Sequence, residues 1–300
     1  MNNITKVDTI DEYCRLLGTS PLHPLVNVTY LSELRHMPLG KKVFGFYCVF
    51  FNEKECGTVK YGRGTYGYRE GTALFVGPGQ IVGIEDNELV ENPQGEILMF
   101  HPDFFIGTAL GKRIKDFSFF AYDSNEALYM TDYEKTIIKD CLRMISSELS
   151  CHHDRHTMQI VCSEMETLFN YSNRFYDRQF SERRVENNSV IHRINHVLEN
   201  YFNSTAPMDY GVPTVQYCAK EVCLSPNYLG DLVKRETGMN AQELIHSAIV
   251  EKAKFHILET NMTISEIAYH LGFRYPHHLT RIFKKITGVT PNQFRANLNK

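Results

Sequence analysis

Over roughly the first 120 positions, apolar residues come in short runs broken by glycine-bearing turns. "VFGFYCVFF" (Val43 to Phe51) is continuous and aromatic, the composition of a strand buried on both faces. "KYGRGTYGYREG", "TALFVGPGQ" and "NPQGEILMF" then alternate turn residues with short strand-like runs. Such spacing predicts a small sandwich or barrel over residues 1–125. Beyond Tyr122 the period changes from two to between three and four. Ile138, Cys141, Leu142, Ile145 and Leu149 form one helical stripe, with Thr131 and Glu134 as a capping box at its start. A second stripe, Met158, Val161, Met165, Leu168 and Phe169, predicts a partner helix. Residues 126–180 therefore read as a helical hairpin, burying its apolar side on the β domain and on a second subunit. "DRQFSERRVENNS" lacks an apolar period, which places an interdomain linker at 181–189. The expected fold class is α+β and multidomain, with a β-barrel or sandwich, a helical hairpin and a C-terminal all-α domain at 190–300.

The all-α part contains an internal repeat. "YCAKEVCLSPNYLGDLVKRETG" (Tyr217–Gly238) aligns with "EIAYHLGFRYPHHLTRIFKKITG" (Glu266–Gly288) after one insertion in the turn. Ala219 falls on Ala268, Val222 on Leu271, Leu229 on Leu279, Leu232 on Ile282, Val233 on Phe283 and Lys234 on Lys284. Each copy reads as helix, tight turn and second helix. Thr263 with Glu266 caps the first helix of the second copy, and Pro276 opens the next, burying Leu279, Ile282, Phe283 and Ile286. In the first copy Ser225 caps and Pro226 opens the second helix. Two helices joined at a steep angle by a short turn are a helix-turn-helix, whose second helix enters the major groove of DNA. With the apolar stripe inward, His277, His278, Arg281, Lys284 and Lys285 face outward, and no acid lies between Pro276 and Thr287. A merely solvated face would mix both signs. A metal site is disfavoured, because adjacent His277 and His278 would point apart and Arg281 repels a cation. Between the copies, "NAQELIHSAIVEKAKFHILET" (Asn240 to Thr260) has no Gly or Pro and places Leu244, Ala248, Phe255 and Leu258 on one stripe. A continuous helix of that length spans roughly 30 Å, against roughly 34 Å for a turn of B-DNA. One chain would then set two reading helices in successive grooves.

Composition changes this picture little, but the placement of charge supports it. The net charge of the 300 residues is −3. From Asn188 onward there are 12 Lys and Arg against 9 Asp and Glu, leaving 20 against 26 before that point. From Thr263 to the end the balance is 6 against 1. An acidic body with a basic final segment suits a nucleic-acid partner. The eight cysteines show no CxxC pair, nothing at the N-terminus resembles a signal peptide, and no apolar run reaches membrane-spanning length. The expectation is a cytoplasmic protein with reduced thiols and no membrane contact. There is no Gly-rich phosphate loop, nucleophile elbow or HExxH motif, so enzyme activity is not expected.

The motifs "CAKEVCLSPNYL", "VKRETG", "ISEIAYHLGF" and "RIFKKITGVTPNQFR", with the connecting helix, resemble the DNA-binding domain of the AraC family of bacterial transcriptional regulators. The resemblance covers about Val190 to Leu298. It implies contacts to double-stranded DNA from Asn227, Tyr228 and Lys234 in the first copy. In the second it implies contacts from Arg274, His277, His278, Thr280 and Arg281, with Lys284 on the backbone. One departure is that Gly230 and Asp231 stand opposite Thr280 and Arg281, where the family often carries larger or basic side chains. An acid at Asp231 can accept a hydrogen bond from cytosine N4, but more often it weakens contact, or caps and pairs with Lys234 on its own helix, which makes the first copy the weaker reader. "GTALFVGPGQ" and "GEILMFHPDFF" resemble, more loosely, the cupin-like sensing domain of the same family. The resemblance implies a small-molecule effector of unknown identity, homodimerisation, action as an activator and contact with RNA polymerase. No cofactor is expected, and no triad of His with a carboxylate stands at metal-ligand spacing in the β domain.

Other constellations carry less. His101 stands alone between Phe100 and Pro102 and reads as structural, while Tyr61, Tyr66 and Tyr68 read as core or surface before they read as a pocket lining. "CHHDRH" (Cys151–His156) spaces His152 and His156 by four, as His192 and His196 are spaced, without further ligands nearby. Two rival readings remain: a cupin-type metalloenzyme with a fused DNA-binding tail, and a ligand-free architectural DNA-binding protein.

Overall fold

A computed structural model describes residues 4–34, 38, 40–53, 58–61, 64–67, 70–84, 94–123, 126–182 and 184–298, with only the backbone of 58–61, 64–67, 84, 184–189 and 298. The chain divides into two units, Met1–Glu182 and Arg183–Lys300.

The first unit is rich in sheet. In chain order it contains β1 (Ile4–Val7), α1 (Ile10–Leu17), β2 (Val26–Tyr30), β3 (Gly40–Phe44), β4 (Tyr47–Asn52), β5 (Thr58–Tyr61), β6 (Gly64–Gly67), β7 (Thr72–Val76), β8 (Ile81–Ile84) and β9 (Gly95–Phe100). There follow α2 (Ala109–Arg113), β10 (Leu128–Tyr129), α3 (Asp132–Ser150) and α4 (Thr157–Glu182). The strands make two five-stranded sheets, in the orders β1-β3-β8-β5-β6 and β10-β7-β4-β9-β2. Among the described residues no strand pair closes either sheet, so the barrel alternative is not what these strands build. The run Val43 to Phe51 is likewise not one strand. It breaks at Gly45, after which the chain passes from the first sheet to the second. Gly45 donates its N–H to the Val7 carbonyl at 2.9 Å, and a Cβ there would lie 3.0 Å from the Asp8 carbonyl oxygen. Backbone this close leaves little room for a side chain at position 45, and hydrophobicity alone does not reveal the crossing.

Strand alternation gives the second sheet two apolar faces. Cys48, Leu74, Val76, Ile97 and Met99 meet Phe44 and the buried side of α1 (Ile10, Tyr13, Cys14 and Leu17). On the opposite face Phe75 and Phe100 meet Phe169 and Tyr176 of α4, with ring centroids 5.6 Å apart for Phe100–Phe169 and 6.2 Å for Phe75–Tyr176. The hairpin thus buries its stripe on the β domain. Its start at Thr131 shows the expected capping box with Glu134. Arg178 locks the pair, its Nε 2.7 Å from Glu134 Oε1 and its Nη2 donating to the Tyr129 carbonyl at 2.6 Å. Met158 departs from its expected stripe and is 48% exposed.

The second unit is helical: α5 (Arg184–Phe202), α6 (Ala206–Tyr210), α7 (Val215–Glu221), α8 (Pro226–Thr237), α9 (Ala241–Glu259), α10 (Ile264–His270), α11 (Pro276–Thr287) and α12 (Pro291–Leu298). The backbone is helical from Arg184, so it is already regular within the stretch 181–189 read as a linker. The sequence repeat is a repeat in hydrogen bonds. The turn after α7 is closed by Leu224 N–H to the Ala219 carbonyl at 2.9 Å, and the turn after α10 by Phe273 N–H to the Ala268 carbonyl at 2.9 Å. Cys223 and Gly272 take the left-handed position in these turns, at φ 60° and 90°. Both second helices end on left-handed glycines, Gly238 and Gly288, whose N–H groups reach the Lys234 and Lys284 carbonyls at 2.9 Å each.

Between the copies α9 is one unbroken helix of 19 residues, about 28 Å long by its rise. It packs against α7 and α8 of the first copy and α10 and α11 of the second. Its buried side is Ala241, Ile245, Ile249, Ala253 and Ile257, flanked by Leu244 and Val250. Phe255 and Leu258 were expected inside and lie outside, 57% and 55% exposed. Apolar residues occupy so much of this helix's circumference that periodicity cannot select the inward side.

Candidate nucleic-acid interface

The second copy is built from the core outward. Leu279 and Phe283 of α11 are fully buried beside Ile267 and Ala268 of α10 and Leu271 just after it, fixing the rotation of α11. Ile286, expected on the same stripe, is 42% exposed. That rotation leaves Arg274, His277, Arg281, Lys284 and Lys285 exposed, with His278 and Thr280 half-buried. Thr280 turns its hydroxyl back to the Pro276 carbonyl at 3.4 Å. Lys285 Nζ lies 3.8 Å from Glu243 Oε1 of α9. Arg274, Arg281 and Lys284 have no acidic partner among the described residues, so their charge is directed at solvent.

The histidines correct one expectation. His277 and His278 do not diverge; their ring centroids lie 4.3 Å apart, and the Tyr275 ring stacks on His277 at 5.7 Å and 26°. Rotamer choice brings together two rings that the helical angle between neighbours would separate. His246 of α9 also belongs to this surface, and no motif in the sequence marks it. Burial first, then Lys285, with a smaller push from Arg281, holds its imidazole below the ordinary range against the pull of Glu243. Only the packing of α9 on α11 reveals that adjacency.

The first copy offers a different surface. Asn227, Lys234 and Arg235 are exposed, and Gly230 and Asp231 are half-buried. Tyr228, expected to reach DNA, is only 5% exposed, as Leu232 one turn later is only 1% exposed. A ring enclosed to that degree presents no face to a groove. Residues Pro226 to Thr237 carry two acids and two bases, whereas Pro276 to Thr287 carry three bases and no acid.

Elsewhere, His101 caps the short turn Pro102–Phe105, its Nδ1 accepting the Asp103 N–H at 3.2 Å. In the loop between α3 and α4, His153 rather than His152 or His156 finds a distant partner, His23, with ring centroids 5.5 Å apart. His196 lies 3.0 Å from Asn200 within α5. No three His, Cys, Asp or Glu side chains among the described residues converge as metal ligands. Tyr68 and the side chains of Tyr61 and Tyr66 lie outside the described residues. No helix among the described residues is long and apolar enough to cross a membrane.

Comparison with known proteins finds a family match within the helical unit. Residues 218–297 match a family described as a helix-turn-helix domain. The arabinose operon regulatory protein of Escherichia coli (strain K12) is 33% identical over 78 residues, 26% of this chain and 27% of that protein. An uncharacterised HTH-type transcriptional regulator of Bacillus subtilis (strain 168), YtdP, is 30% identical over 107 residues, 36% of this chain and 12% of that protein. The solved C-terminal domain of AraT, a response regulator from Geobacillus stearothermophilus, is 30% identical with a TM-score of 0.31, covering 36% of this chain and 84% of that one. The chain spans less than a third of the length of these two curated relatives.

Proposed function

From the premise that residues 218–297 form a helix-turn-helix domain of the AraC family, we propose that this chain is a sequence-specific DNA-binding transcriptional regulator. The observation that carries the reading is the pairing of two helix-turn-helix units, alike in their turn hydrogen bonds, at either end of one unbroken helix. A rod of about 28 Å is close to the roughly 34 Å pitch of B-DNA, so α8 and α11 enter successive major grooves of a single site.

In this reading α11 is the stronger reader. His277, His278, Thr280 and Arg281 meet base edges, and Arg274 and Lys284 meet phosphates. Asn227 and Lys234 serve the neutral first head, without Tyr228. The N-terminal unit, cupin-like by its resemblance, senses a small-molecule effector, and its hairpin α3–α4 joins two copies into a homodimer. The regulator acts in the cytoplasm as an activator, through contact with RNA polymerase.

The test is selection of duplexes from a random pool, followed by affinity measurements at several salt concentrations. Arg281→Ala is expected to cost about 1–3 kcal/mol on the selected site and to relax specificity in one half of it. Lys284→Ala is expected to weaken binding to all sequences alike and to reduce the salt slope by about one. Equal affinity for selected and random duplexes would contradict the reading.

A further inference from the structure

We propose that Tyr275 is a specificity-determining residue of the second reading head. It acts as a positioning residue, stacking on His277 and thereby fixing the His277–His278 ring pair that leads α11 into the groove. The proposal rests on the reading of α11 as the groove-entering helix.

Tyr275 occupies the N-cap of α11, in extended backbone at φ −133° and ψ 121°, and makes no capping hydrogen bond. The four preceding helices each start with a side chain that does, namely Thr214, Ser225, Asn240 and Thr263. Ser, Thr, Asp or Asn at that position stabilises a helix, and an aromatic residue does not. Nor does Tyr275 repay the loss by packing inside, since it is 54% exposed. Its ring is instead committed to the histidines, at 5.7 Å and 26° from His277 and 6.1 Å from His278, which themselves lie 4.3 Å apart. Three rings thus cluster at the leading end of the helix, with Tyr275 stacked on His277 and His278 tilted against both.

The chemistry explains why such a stack matters to a reader of bases. A neutral imidazole offers one donor and one acceptor, and the orientation of its ring decides which of them meets a given base edge. A free histidine on an exposed helix samples several rotamers and loses that freedom on docking. A ring stacked over it from the N-terminal side holds the orientation beforehand. Tyr275 therefore contributes to discrimination between bases rather than to attraction for phosphate.

Two variants of the full-length protein separate this role from a structural one. Tyr275→Ser removes the stack and supplies the missing cap. Its thermal midpoint should equal or exceed that of the wild type. On duplexes selected by the wild type, its discrimination should fall about tenfold or more at one or two adjacent base pairs in one half of the site. The other half should be unaffected. Tyr275→Phe keeps the stack and should keep wild-type preference. The proposal is overturned if Tyr275→Ser retains wild-type preference at every position, or if it weakens binding equally to all sequences. It is also overturned if Tyr275→Phe loses discrimination as Tyr275→Ser does, which would assign the role to the hydroxyl. Failure of the wild type to enrich any sequence from the pool is a separate result. It would remove the regulator reading itself, and this proposal with it.

Discussion

Glu96 provides a quantitative test of the β unit. It lies in β9, in register with Tyr30 of β2 and Phe51 of β4, and is only 6% exposed. Its Oε2 has no hydrogen-bond partner among the described residues. Burial, with the nearby Glu53 adding to it and Lys139 opposing it, pushes its carboxyl from the ordinary 4.5 up to about 7. Lys139 does not neutralise Glu96 because it is engaged by Glu53, at 2.6 Å. A carboxyl whose affinity for its proton is raised by folding stabilises the folded state least when ionised. Below pH 4.5 folded and unfolded chains are both protonated and the group contributes nothing. Between 4.5 and 7 the unfolded chain ionises while the folded one holds its proton, so stability falls as pH rises, then levels off. At about 1.4 kcal/mol per tenfold change in proton affinity, the full difference is roughly 3 kcal/mol. Glu96→Gln removes the titration while keeping the shape. Its stability relative to wild type should therefore rise by roughly 3 kcal/mol between pH 4.5 and pH 8. Amide hydrogen exchange of the Gly95–Phe100 segment, corrected for intrinsic rates, reads this locally in the full chain. Parallel pH dependence of variant and wild type would refute the placement of a buried, unpartnered carboxyl at this point in the sheet.

Two glycines in the helical unit should respond in opposite directions. Gly272 sits at φ 90°, and a Cβ there would lie 2.5 Å from the Gly211 carbonyl carbon and 2.8 Å from the Pro207 carbonyl oxygen. Gly272→Ala should cost about 1–3 kcal/mol in urea unfolding and weaken DNA binding, and an unchanged midpoint would contradict the packing of α10 against α6. Gly230 lies within α8, where a Cβ meets nothing within 4 Å. Gly230→Ala should stabilise the unit by about 0.5–1 kcal/mol, and a loss of stability would show that the glycine is needed for close approach.

What was legible in the sequence was what is local. The Thr131–Glu134 and Thr263–Glu266 capping boxes involve residues three apart, and both form as read. The repeat was visible because its turns reuse small or left-handed positions such as Ala219 and Ala268, or Gly238 and Gly288, at fixed offsets. What escaped depends on partners distant in the chain. Gly45 had to be seen against Asp8 before it could end a strand. Phe255 and Leu258 could be placed outside only once α9 had neighbours on its other side. The family resemblance puts Tyr228 among the DNA contacts, but its burial is set by surroundings that no motif records. His246 joins the cationic surface only through the packing of α9 on α11.

A footprint measures the central claim most directly: a single chain carries two reading heads on a rod matched to the double helix. Hydroxyl-radical protection of a duplex selected by this protein should show, for each bound chain, two protected patches on one face. Their centres should lie about ten base pairs apart, and Arg281→Ala should erase one patch while sparing the other. A single patch, or two patches on opposite faces of the duplex, would contradict it.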